Sequence, residues 1–233
     1  MSTSYQISRT ERMINATFKG LTSLMCRVHS EQLNRVPSHG PLILVSNHIN
    51  FLEIPIIYTR LQTACPLTGF AKAETWDNPI MGRIFNIWGA IPVHRGQADL
   101  TAIKRGVSAL RQGHILAMTP EGTRSNHGRL MRGHPGVVTL ALLSGAPVLP
   151  VVHYGHEKYR QDFSRLRRSD FNVVVGKPFI LNSTGIKVTG AMRQQMTDEI
   201  MYQLAALLPQ QYRGAYANLN QATEHYLQFI DLK

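Results

Sequence analysis

From residue 38 onward the chain alternates between two textures, and this limits the possible folds more than any other feature. Short unbroken apolar runs ("PLILVS", "LTGFAK", "GAIPV", "HILAMT", "PVLPVVHY" and "FNVVVGKPF") are separated by stretches with helical spacing at 52–61, 75–87, 98–112, 135–144 and 189–208. A strand with one wet face alternates apolar and polar residues. A strand covered on both faces reads as a continuous apolar run. Strand and helix in turn therefore predict an α/β fold with a mostly parallel central sheet and helices on both faces. In such sheets ligands gather where strands end and loops begin. The polar clusters fall at those places: "SNH" after "LILV", "HRG" after "AIPV" and "PEGTRS" after "ILAMT".

The texture changes at Pro37-Ser38-His39-Gly40-Pro41, which divides the chain into an N-terminal amphipathic helical segment, 1–36, and a domain over 37–233. Within the first part, residues 5–34 read as a helix carrying Ile14, Phe18, Leu21, Met25 and Val28 on one stripe. Arg9, Arg12, Lys19 and Arg27 occupy other positions. Such a stripe either packs on the domain or lies in a lipid interface with the basic residues against headgroups. No apolar run reaches the length needed to cross a bilayer. "GVVTLALLSGAPVLPVV" is interrupted by Gly145 and Pro147. The opening residues also lack a charged start followed by an apolar stretch, which predicts no signal peptide.

Charge narrows the partners. Twenty-five Lys and Arg against 14 Asp and Glu leave a formal charge of +11. That surplus points to an anionic partner: a membrane surface, nucleic acid, phosphorylated metabolites or an acidic carrier protein. No nucleic-acid motif is present and aromatics are not interleaved with the basic residues, so nucleic acid is not expected. Cys26 and Cys65 have no metal spacing and read as buried small hydrophobes; no metal is expected.

The chemistry-bearing residues begin with His48 and Glu53, five apart in "LVSNHINFLEIP". On a continuous helix that spacing separates them. At a strand-to-helix corner it can bring them together, either as a structural hydrogen bond or as a base with its orienting acid. In "TPEGTRS", Gly122 lets the backbone approach a ligand, Thr123 and Ser125 can donate hydrogen bonds, and Arg124 offers a planar fork for phosphate. Glu121 suits an anion cradle poorly and reads better as holding Arg124 or the loop. Arg95, in "GAIPVHRG", adds a guanidinium at another strand end.

Together these blocks resemble the PlsC-type glycerolipid acyltransferases, typified by 1-acyl-sn-glycerol-3-phosphate acyltransferase. The resemblance covers roughly 38–180 and comprises four ordered blocks: Asn47-His48 through Glu53, "GAIPVHR" ending at Arg95, Glu121 to Ser125 as EGTRS, and "APVLPVV". The segment linking the first two matches as well and carries the family's lysine as Lys72. Two positions depart from the pattern. Glu53 stands where most relatives carry Asp, and His134 where they often carry a lysine, with Arg129 and Arg132 nearby.

What the resemblance implies is transfer of a fatty acyl group from acyl-CoA or acyl carrier protein to the free hydroxyl of lysophosphatidic acid, giving phosphatidic acid. His48 is then the general base, Glu53 its orienting acid, and Lys72 or backbone N–H groups the stabiliser of the oxyanion. Arg95, Gly122, Thr123, Arg124 and Ser125, with Glu121, form the phosphate site. No cofactor is implied beyond the thioester co-substrate. The partners implied are a membrane lipid and an anionic membrane surface, and the place is the cytoplasmic side of the membrane, peripheral or monotopic. The rival readings are another lyso-lipid acceptor, such as a lyso-amino-lipid, and a non-catalytic basic lipid-binding protein.

Overall fold

The apolar runs become strands and the periodic stretches become helices, in the order the sequence predicts. The structure, a computed structural model, describes residues 6–94, 99–183, 185 and 187–232. Its elements are α1 (Arg9–Met25), β1 (Cys26–His29), β2 (Leu42–Val45), α2 (Glu53–Arg60), β3 (Leu67–Lys72), α3 (Pro79–Ile87), β4 (Ile91–Val93) and α4 (Leu100–Arg111). Then follow β5 (Ile115–Met118), α5 (Gly136–Ser144), β6 (Val148–Tyr154), α6 (Tyr159–Ser164), β7 (Ser169–Val175), β8 (Phe179–Leu181), α7 (Gly190–Leu207) and β9 (Leu227–Phe229).

Among the described residues these strands form one sheet with the path β1-β7-β6-β2-β5-β3-β4, and β8 and β9 attach beside β6. Pairing is parallel from β6 through β2, β5 and β3 to β4. It is antiparallel between β6 and β7. Successive strand residues point to opposite faces, and in the central strands β2 and β6 nearly all of them are buried. Ile43 and Val45 enter a core with Val137, Leu140, Ile200 and Leu204 of α5 and α7. Leu42 and Leu44 enter a second core with Ile56 of α2, Phe171 and Cys26. Gly106 lets α4 approach the sheet, since a Cβ there would meet Phe70 Cζ and Leu140 Cδ2 at 2.9 Å.

One segment differs from the sequence expectation. The N-terminal helix ends at Met25, not near residue 34, because Cys26–His29 pair in parallel with β7. Arg27 Nε reinforces this pairing with a 2.9 Å bond to Asp170 Oδ1. Tertiary pairing overrides helical spacing here, and the segment 1–36 shares the domain's sheet and core through β1, Leu33 and Val36. The C-terminal tail adds β9 antiparallel to β8. Buried Glu199 of α7 pins that tail by accepting from Thr223 Oγ1 (2.7 Å) and from the backbone N–H groups of His225 and Tyr226 (3.0 Å each). No helix among the described residues is long and apolar enough to cross a membrane.

Candidate active site

The corner after β2 brings His48 and Glu53 into direct contact. Asn47 replaces a missing stretch of ladder: its side-chain amide donates to His153 O at 2.8 Å, and its Oδ1 accepts from His153 N at 3.0 Å. This continues the pairing of the β2 chain with β6 past the strand itself and sets the next residue, His48, beyond the C-terminal end of β2. Asn50 Oδ1 then accepts from Leu52 N at 2.9 Å, a turn that launches α2 with Glu53 in its first turn. A carboxylate there is favoured by the helix dipole.

Glu53 Oε1 bonds His48 Nδ1 and also accepts from Ile49 N at 3.1 Å, while Oε2 accepts from Asn50 N at 2.9 Å. His156 Nε2 lies 3.5 Å from the same Oε2, an ion-pair distance. Burial alone would raise the Glu53 carboxyl; His153, His156 and His48 around it more than reverse that and hold it below the usual carboxylate range. Burial pushes His153 itself down to about 3, so that ring is uncharged near neutral pH and the direct hydrogen bonds carry the shift. With Nδ1 engaged by Glu53, the favoured tautomer keeps its lone pair on Nε2.

Glu121 does hold the loop, as read from sequence, but by backbone and not through Arg124. Its Oε1 accepts from His48 N and its Oε2 from Met131 N, both at 2.8 Å. Ser125 N and Asn126 N return bonds to His48 O (2.8 Å) and Ile49 O (2.9 Å). The EGTRS loop is therefore stitched to the dyad segment on both sides. Burial pushes the Glu121 carboxyl up to about 7, with the Glu53 charge adding to the rise and the two N–H donors opposing it. Even as a neutral acid Glu121 keeps a lone pair on each oxygen. A glutamine would set an NH2 against one N–H whichever way it turned. Glu121→Gln is expected to cost about 1–3 kcal/mol in urea unfolding; an unchanged midpoint would remove this role.

His48 lines two cavities. One, about 140 Å3, is apolar and walled by Ile54, Ile57, Phe70, Phe85 and Trp88. Its lining includes the Tyr58–Trp88 stack at 4.8 Å, which α1 supports through Asn15 Oδ1, accepting from Trp88 Nε1 at 2.9 Å. The other, about 880 Å3, includes Lys72, Gly122, Thr123, His134 and Arg193. Lys72 is exposed and paired with Glu74 at 3.2 Å. Gly122 sits at φ 68°, where glycine is favoured. Arg124 is exposed and does not line that cavity, and Ser125 is buried. Arg95 lies outside the described residues.

Three residues of this neighbourhood were not read from the sequence. Arg193 reaches the larger cavity from α7 and donates to Thr139 Oγ1 at 3.2 Å; nothing in its sequence context marks it. His153 and His156 had one signal, two histidines three apart where an apolar strand ends. Glu53, His153 and His156 also place one ligand-capable atom each within 4.8 Å of one another. Both Glu53 oxygens accept backbone N–H groups and His153 Nε2 meets Asn47 O at 2.9 Å, while His153 Nδ1 and both ring nitrogens of His156 are buried without a hydrogen-bond partner.

Residues 27–154, more than half of the chain, match the acyltransferase family. The chain belongs to that family. Among its relatives is the chloroplastic 1-acyl-sn-glycerol-3-phosphate acyltransferase BAT2 of Brassica napus, 31% identical over 151 residues, which are 63% of this chain and 43% of that one. Another is the lyso-ornithine lipid O-acyltransferase of Pseudomonas aeruginosa, 32% identical over 123 residues, 52% of this chain and 45% of that one. The chain thus spans less than half the length of these acyltransferases. The crystal structure of the acyltransferase PlsC from Thermotoga maritima superposes with a TM-score of 0.59 at 20% identity, covering 81% of this chain and 75% of that one; it shares the fold.

Proposed function

We propose that this acyltransferase moves a fatty acyl group from acyl-CoA or acyl carrier protein to the free hydroxyl of lysophosphatidic acid. The observation carrying this reading is that His48, held by Glu53, stands where an apolar pocket meets a wider cavity bearing basic side chains. His48 Nε2 takes the proton of the acceptor hydroxyl as that oxygen bonds to the thioester carbonyl carbon. The tetrahedral oxyanion is stabilised by backbone N–H groups and the positive charge of Lys72. Collapse breaks the C–S bond, and the imidazolium returns its proton to the departing sulfur. The apolar pocket holds the acyl chain. Thr123, His134 and Arg193 face the acceptor's phosphate from the wider cavity, while Arg95 and Arg124 enter on the resemblance alone. The setting is the cytoplasmic face of a membrane, bound at its surface.

Purified protein offered both thioester donors and a panel of lyso-lipids should convert lysophosphatidic acid to phosphatidic acid, read by lipid mass spectrometry. Acylation of a lyso-amino-lipid with none of lysophosphatidic acid would favour the second reading, which the Pseudomonas relative supports. Arg193→Ala should separate the two. Losing a charged contact to phosphate raises KM for lysophosphatidic acid about tenfold. KM for an acceptor without phosphate should stay put. Equal KM changes for both acceptors would remove Arg193 from the phosphate site.

A further inference from the structure

The turn between α6 and β7 carries a side chain that the fold itself does not use. Helix α6 ends at Ser164, and the chain returns through Arg165-Leu166-Arg167-Arg168 to β7. Arg165 N and Arg167 N bond to Asp162 O at 3.0 and 2.8 Å, and Ser169 Oγ bonds the Asp162 carboxylate, which fixes the turn's shape. That shape places Leu166 in left-handed backbone, φ 55°. Glycine or asparagine usually fills such a position, because other side chains crowd the neighbouring carbonyl. Leu166 is 95% exposed, so no packing compensates the strain. Phe163, three residues back, is 43% exposed.

Around this apolar tip the charge is one-sided. Residues 158–168 contain Lys158, Arg160, Arg165, Arg167 and Arg168 against Asp162. Arg165 and Arg167 belong to none of the ion pairs among the described residues. Arg168 Nη2 instead donates to Cys26 O at 2.7 Å, which ties the turn to the end of α1. There Leu21 and Leu24 stand exposed at 53% and 63%, whereas Ile14, Phe18 and Met25 of the expected stripe are half-buried. The turn also lies at the catalytic end of the sheet. Its strand pairs Asn172 with Tyr154, just past the His153 that holds Asn47, and α6 begins three residues after His156.

We propose that this turn docks the protein on an anionic phospholipid surface, with Leu166 and Phe163 in the headgroup–acyl boundary and Arg160, Arg165 and Arg167 among the phosphates. A convex apolar tip ringed by arginines suits a fluid layer that closes around it. A folded protein partner would need a matching hollow. The inference deepens the lipid-surface part of the proposed function by naming the face that touches lipid. It orients the strand ends, and with them His48, toward the layer that holds the substrate.

The test is co-sedimentation of the full chain with vesicles of equal parts phosphatidylcholine and phosphatidylglycerol, with no thioester present. A failed acyl-transfer assay and a failed docking assay are then separate results. Leu166→Gly should weaken binding about tenfold, the loss expected for one withdrawn leucine. Its Tm should stay level or rise by about 2 °C as the strain is relieved. Arg165→Ser with Arg167→Ser should weaken binding about 25-fold, roughly fivefold for each arginine. Wild-type-like binding by both variants would overturn the proposal. So would retained vesicle binding together with lost binding to an acidic acyl carrier protein, which would make the turn a carrier dock.

Discussion

Glu53→Gln should lower kcat by about 10^4-fold while leaving a folded protein, as expected when an orienting acid loses control of its imidazole's tautomer. The amide has one acceptor atom where the carboxylate has two, and both Glu53 oxygens accept N–H groups in the structure. Placed toward His48, the NH2 makes Nδ1 an acceptor and moves the ring proton to Nε2, where the base needs its lone pair. Placed toward Asn50, it opposes that residue's N–H inside a dry site and costs about 1–3 kcal/mol. Turnover within tenfold of wild type would dismiss the acid's role.

The same substitution has a pH signature. The Glu53 carboxyl is held below its ordinary value of 4.5, so the folded state binds fewer protons there than the unfolded chain. Its stabilisation is complete above about pH 4.5 and fades as the pH falls toward the folded value. Glutamine has no such dependence, so the Tm gap between wild type and variant should narrow on acidification below 4.5. Glu121 runs the other way. With its carboxyl raised to about 7, its contribution is complete below 4.5 and declines as the pH climbs to 7.

His48→Ala should cost at least about 10^3-fold in turnover through loss of the base. The fold should survive. His48 N and O make the bonds to Glu121 and Ser125, and alanine keeps both backbone groups. Far-UV circular dichroism should match wild type while single-turnover acyl transfer collapses. Thioester consumption equal to wild type, by a normally folded variant, would take the proton transfer away from this ring.

The sheet was legible because strands covered by helices are mostly apolar, as in Leu42–Val45, so the central runs stood out from the helical stretches between them. The dyad was legible from His48 and Glu53 only in combination with EGTRS, since five-residue spacing alone fits a turn as well as a base. The end of the N-terminal helix was not, because Cys26–His29 keep helical spacing up to the point where β7 captures them. His153 and His156 escaped for a different reason. A histidine ending an apolar strand looks like any polar strand terminus until the carboxylate it faces is known. Arg193 sits more than 140 positions from His48 on a helix of ordinary composition, and only tertiary structure joins the two.

The stitching of the His48 corner makes the proposed chemistry depend on contacts between distant parts of the chain. The bonds that aim the corner come from Glu121, Ser125 and His153, between 73 and 106 residues away along the chain. A nascent chain that has made only neighbourly contacts owns both members of the dyad and has no working centre. On the proposed reading, a working centre requires β6 and the loop after β5 to be seated against the His48 corner.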